Sequence, residues 1–242
     1  MERTRIQLCG RLVAEVAGRR IDGELPGRQG RLLFAFLVSN RLRLVTRDDV
    51  VEAIWRDGQD GGLRPLLSKL RRQVDVEGRG ELRLVLPAGA WVDVEAAADA
   101  VHRAESAIAV GDWTRAWGPA QAALFIAGRP FMAEEDAVWV DERRRQLADV
   151  RLRALEAYGT AGLGIGGTEL AAAVRAGRSL TTSEPYRESG YRLLMRALAG
   201  QGNVAEALGA YERLRTVLRQ ELGAAPSRET QALHLALLDR TS

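Results

Sequence analysis

The nine residues from Arg64 to Arg72 hold three Arg, the only Lys and a Ser, with no acid among them, a set of side chains able to grip a polyanion. With Arg64 set to 0° and 100° per residue, Ser68, Lys69, Arg71 and Arg72 fall at roughly 40°, 140°, 340° and 80°. Leu66, Leu67, Leu70 and Val74 fall at roughly 200°, 300°, 240° and 280°, one apolar arc. Such a helix buries one side and shows four cations and a hydroxyl, with no acid, on the other. A guanidinium is a planar fork of donors that matches phosphate oxygens and the O6/N7 edge of guanine. The chemistry is therefore nucleic-acid binding, and a single helix of this kind fits the major groove.

Other chemistry-bearing patterns carry less. Gly162-Leu163-Gly164-Ile165-Gly166-Gly167 satisfies Gly-x-Gly-x-x-Gly, but that fingerprint cradles pyrophosphate only after a strand. Here Leu147, Val150, Ala154 and Tyr158 precede it at helical spacing, which predicts a loop between helices. Glu134-Glu135-Asp136 reads as acids favouring a helix N-terminus rather than as a metal or acid–base cluster. His102 and His234 have no sequence-local partner, and Cys9 reads as a small buried hydrophobe on a strand. Trp55, Trp113, Trp117 and Trp139 read as core packing, while Trp91 lies on a strand and is open to either packing or partial exposure. No cofactor or metal is expected, and no enzymatic activity.

Charge supports the same location. The chain has 242 residues with 35 basic and 32 acidic side chains, net +3, and Lys69 is its only Lys. Residues 1–98 hold 17 basic and 14 acidic groups, while residues 99–242 hold 18 of each, so the whole excess lies in the first half. One Cys excludes a disulfide framework. The longest uncharged run, Ala116 to Gly128, contains a Pro and is too short to span a bilayer, so no membrane association and a cytoplasmic location are expected.

The elements that must position the cationic helix follow from local pattern. Arg5 to Cys9, Leu12 to Val16, Leu82 to Leu86 and Trp91 to Val94 read as strands, the last two as a hairpin around Pro87-Ala88-Gly89. A first helix is expected from about Arg28 to Ser39 with Leu32, Leu33, Phe36 and Leu37 inward. A second opens on Thr46-Arg47-Asp48-Asp49, a capping-box pattern, buries Val50, Ile54 and Trp55, and can end at Gly58. The third, with Pro65 in its first turn, runs to about Val74. Beyond residue 95 the pattern is all helical, with one long helix from Asp136 to Tyr158. Gly111-Asp112 with Ala116, Gly167-Thr168 with Ala172, and Gly202-Asn203 with Ala207 repeat one turn pattern. The second spacing, 35 residues, is close to a ~34-residue tetratricopeptide unit. The last unit is clearest, with Tyr191, Leu194 and Leu198 on one helix and Ala207 and Tyr211 on the next.

These stretches resemble a known family. Ser68-Lys69-Leu70-Arg71-Arg72 and Asp48-Asp49-Val50 through Ala53-Ile54-Trp55 are similar to an OmpR-type winged helix over residues 1–95. Tyr191-Arg192-Leu193-Leu194-Met195, Glu206-Ala207-Leu208 with Tyr211, and Glu221-Leu222-Gly223 with Pro226 resemble the bacterial transcriptional activation domain over residues 96–242. The pairing is that of the Streptomyces antibiotic regulatory proteins. The resemblance implies a mostly α chain, an α+β winged helix-turn-helix followed by a tetratricopeptide-like all-α domain. It also implies an activator that binds direct repeats in double-stranded DNA as a homodimer and contacts RNA polymerase. Carried over, Arg64, Ser68, Lys69, Arg71 and Arg72 would lie in the major groove, and a wing from Arg83 to Trp91 would approach the adjacent backbone. Arg28 and Arg47 would fix register through phosphates. Gly61-Gly62 stand where family members have a longer segment and an Asn. The alternative is an interaction scaffold whose winged helix no longer reads sequence.

Overall fold

The computed structural model describes residues 3–55 and 62–239. The chain packs as two compact units, Met1–Ala96 with Ile126–Ala148, and Ala97–Phe125 with Asp149–Ser242. It is mostly helical, with two small sheets confined to the first unit.

One sheet has the order β3-β2-β1-β7, formed by β1 (Arg5–Gln7), β2 (Val13–Val16), β3 (Arg19–Arg20) and β7 (Trp91–Val92). The other has the order β4-β6-β5, formed by β4 (Val45–Thr46), β5 (Asp75–Glu77) and β6 (Glu81–Val85). This corrects the expected hairpin. β6 pairs antiparallel with β5, Glu77 opposite Arg83, so the hairpin spans 75–85. Trp91–Val92 instead pairs in parallel with Arg5–Ile6. The reason is partner supply: β6 is flanked on both edges by β4 and β5, whereas β1 has an edge free for β7. Arg5 then lies over the Trp91 ring, 4.8 Å from its centroid.

Three helices pack with these sheets. α1 (Gly27–Ser39) buries Leu32, Leu33, Phe36 and Leu37 as its stripe requires. α2 (Arg47–Ile54) is capped as its sequence dictates: the Asp49 N–H donates to the Thr46 hydroxyl at 3.1 Å, and the Thr46 N–H donates to the Asp49 carboxylate at 2.9 Å. The Thr46 N–H, followed by the Thr46 side chain, holds the Asp49 carboxyl below its usual range. α2 ends at Ile54 with Trp55 extended and half-buried; the expected terminator Gly58 lies outside the described residues. α3 (Leu63–Leu70) is shorter than expected, closing in a turn before β5.

Residues 126–148 belong to the first unit for visible reasons. Gly10 N–H donates to Pro130 O, Met132 N–H donates to Leu8 O, and Cys9 bridges Phe131. Trp139 meets the Phe36 and Phe131 rings edge-on at 5.3 and 5.8 Å. Glu135 is buried and pairs with Arg31 at 2.7 Å and Arg28 at 3.1 Å. Glu135 therefore serves a long-range ion pair rather than a helix end, and the long helix starts later, as α6 (Val138–Ile165).

The second unit contains the remainder of α4 (Asp93–Ala109), α5 (Trp113–Ala127) and α6, then α7 (Leu170–Ser183), α8 (Glu188–Gly200), α9 (Val204–Leu222) and α10 (Arg228–Leu238). The three matching glycines all lie at breaks between helices with left-handed backbone, and Ala116, Ala172 and Ala207 are all buried. Tyr191, Leu194, Leu198, Ala207 and Tyr211 are buried on α8 and α9 as the spacing requires. Leu194, Leu198, Ala207 and Tyr211 share one cluster, while Tyr191 packs with Leu214 and Leu218. The Gly-x-Gly-x-x-Gly run is the last turn of α6 plus the break that follows. A β-carbon at Gly162 would sit 2.9 Å from the Trp117 ring, and one at Gly164 would sit 2.3 Å from the Trp113 ring. The first two fingerprint glycines make room for indoles.

Candidate nucleic-acid interface

α3 separates its residues cleanly. Leu63, Leu66, Leu67 and Leu70 are buried, while Arg64, Ser68 and Lys69, and Arg72 in the following turn, are exposed. Four leucines inside and cations outside account for an amphipathic helix only two turns long, whose stability comes from packing rather than propensity. Gly62 takes a left-handed conformation at its start. Its first turn holds no acid. Among the described residues, no acid pairs with Arg64, Lys69 or Arg72, so these three charges face solvent uncompensated.

The other expected contact residues separate into distinct settings. Arg47 is half-buried as the first residue of α2, and its N–H donates to Gly80 O at 3.2 Å, joining α2 to the β5–β6 turn. Arg83 is exposed but pairs with Glu77 across the hairpin at 2.8 Å. Arg28 is held by Glu135 and by Asp136 O. Arg71, placed by helical projection on the cationic face, donates from Nε to Val76 O at 3.0 Å and from Nη2 to Gly78 O at 2.5 Å. The structure thus gathers Arg64, Ser68, Lys69 and Arg72 on one face and leads Arg28, Arg71 and Arg83 to protein partners.

The expected wing over 83–91 is replaced by the hairpin of 75–85, whose turn is Gly78-Arg79-Gly80. Arg79 is exposed at its tip. The signal for it was available: two glycines flanking a cation, between short runs of alternating burial. A β-carbon at Gly78, where φ is +89°, would fall 1.8 Å from Glu81 O, so only glycine allows this turn. No group of three or more His, Cys, Asp or Glu able to hold a metal occurs among the described residues.

Comparison with known proteins now bears on this arrangement. Residues 92–238 match the model of the bacterial transcriptional activator domain. The chain belongs to that family. Among relatives of this bacterial transcriptional activator domain chain, the regulatory protein AfsR of Streptomyces griseus is 30% identical over 224 residues, covering 87% of this chain and 22% of AfsR. The transcriptional regulatory protein EmbR of Mycobacterium tuberculosis is 27% identical over 252 residues, covering 96% of this chain and 62% of EmbR. The chain therefore spans under a quarter of AfsR and under two thirds of EmbR. A solved structure of Mycobacterium tuberculosis EmbR in complex with a low affinity phosphopeptide has the same fold, with a TM-score of 0.83 at 24% identity over 99% of this chain and 66% of that one. With these relatives, the chain is similar to regulators of the Streptomyces antibiotic regulatory protein type. None of its described helices is long and apolar enough to cross a membrane.

Proposed function

We propose that this chain is a sequence-specific DNA-binding transcriptional activator. The observation that carries the reading is the exposed face of Arg64, Ser68, Lys69 and Arg72, acid-free and backed by four buried leucines. In this reading α2, α3 and the β5–β6 hairpin form a winged helix-turn-helix, with α3 in the major groove of double-stranded DNA. One or two of its arginines read guanine edges, at ~1 to 3 kcal/mol of discrimination each. Arg47 and Arg79 contact phosphates, which fix register without reading sequence.

The helical residues from 97 onward act as tetratricopeptide-like repeats that support a homodimer on direct repeats and contact RNA polymerase. The recurring turn at Gly111, Gly167 and Gly202, each followed by a buried Ala, supports that part of the reading. So modest an excess charge binds weakly alone, and a second copy on a neighbouring repeat raises the effective concentration.

Selection of bound fragments from a random duplex pool tests both parts. Enrichment of a direct repeat is the expected result, and loss of enrichment in the R64A/K69A/R72A variant ties it to α3. Binding by the triple variant equal to that of the parent would overturn the reading and favour the scaffold.

A further inference from the structure

The two bonds made by Arg71 are unusual for an arginine beside a cationic face, because both acceptors are backbone. β5 is an edge strand of its sheet; Val76 lies within it, and Gly78 is the first residue past its end. Antiparallel pairing with β6 engages alternate backbone groups and leaves the others on the open edge. The Arg71 guanidinium takes one carbonyl within the strand and one in the turn that follows, Val76 O at 3.0 Å and Gly78 O at 2.5 Å. The second belongs to the one residue of the turn where an added β-carbon would clash with Glu81 O, so that position requires glycine. On the far side of the same turn, Gly80 O accepts the N–H of Arg47 at the start of α2. The Arg79 tip is therefore tied to α3 by one arginine and to α2 by a backbone bond.

We infer that Arg71 is a positioning residue of the DNA interface: its guanidinium clamps the β5–β6 turn to the end of α3, so that the cationic helix face and Arg79 meet the duplex as one rigid unit. The inference rests on the DNA-binding reading above. It separates two roles that sequence position merges: both side chains are exposed, but Arg72 has no acid paired to it among the described residues, whereas Arg71 commits its guanidinium to two backbone carbonyls. A lysine supplies the same charge but not a planar fork able to span two carbonyls.

The test uses the full chain, the duplex recovered by the selection, and the variants R71K, R71A and R72A, with Kd measured across a salt series. R72A is expected to weaken binding and to lower the slope of log Kd against log salt by about 1, as loss of one phosphate contact does. R71K and R71A are expected to weaken binding alike, about tenfold, the scale of one or two lost hydrogen bonds, with the slope unchanged. In both variants without DNA, the amides of residues 79–83 should exchange with solvent faster than in the parent. Parental affinity in R71K, or a slope reduced by about 1 in R71A, would overturn the inference. If R71A does not fold, R71K alone decides. If the R64A/K69A/R72A variant binds as the parent does, the DNA reading itself fails, and amide exchange in R71K still reports whether the clamp exists.

Discussion

Thr230 donates its hydroxyl to a carboxylate oxygen of Glu188 at 2.5 Å, joining the first turn of α10 to the first residue of α8. The same carboxylate accepts the Ser227 N–H at 3.0 Å and the Ser227 hydroxyl at 2.7 Å, while Ser227 caps α10. Thr230 is wholly buried, so this knot is how α10 is seated.

Acid should loosen α10. Partial burial works against ionisation of Glu188, but the hydroxyls of Thr230 and Ser227, the Ser227 N–H and Arg192 outweigh it and hold the carboxyl below its usual value of 4.5. A depressed folded-state value means stability that is present above 4.5 and lost as pH falls through the folded value. Thermal unfolding of the parent should show this loss below about pH 4.5, and E188Q should flatten it. An equal acid dependence in E188Q would assign the loss to other carboxylates.

Asp93 should be costly to remove. It is fully buried at the start of α4 and accepts the N–H groups of Leu8 at 2.9 Å and Cys9 at 2.8 Å, beyond the end of β1. D93A leaves two buried donors without an acceptor, which should cost about 3 kcal/mol in urea denaturation. A change under about 1 kcal/mol would mean that solvent reaches both groups.

Glu135 should couple to Arg31. Its side chain is only 2% exposed, whereas Arg31 and Arg28 are 35% and 53% exposed. E135A should therefore destabilise by about 2 kcal/mol, less than a wholly buried pair loses, because both guanidinium groups can recover some hydration. The R31A/E135A double variant should lose less than the sum of the single variants; additive losses would show that the pair is not coupled.

Gly162 and Gly164 should behave as packing residues. G164A places a methyl 2.3 Å from the Trp113 ring, and about 1 to 3 kcal/mol of destabilisation is expected. Added nucleotides should leave the melting temperature of the parent unchanged. A rise in that temperature that G164A abolishes would restore the dinucleotide reading.

What the sequence made legible was local. The Thr46–Asp49 cap, the inward stripe of α1 and the two-sided division of α3 depend on neighbours within four residues, and each formed as read. What it concealed was remote. Trp91 pairs with Arg5, and Arg31 pairs with Glu135, more than eighty residues away in each case. No local pattern specifies such a partner, so Arg28 looked like a free cation and 91–94 like half of a hairpin. Strands of two or three residues, such as Arg19–Arg20 and Asp75–Glu77, are too short to show a period. Arg71 failed for a different reason: a helical projection records direction around one axis and ignores the carbonyls of the strand that follows.

Cys9 is the only thiol in the chain and has no exposed surface. Burial, with the adjacent Asp93 charge, pushes its ionisation far above the ordinary range, and only a thiolate is alkylated at a useful rate. The folded chain is therefore inert to an alkylating reagent, and modification follows only when the first strand detaches. Mass-resolved uptake of a single alkyl group would clock the opening of that unit in the natural sequence, with no engineered probe and no second site to confuse the count.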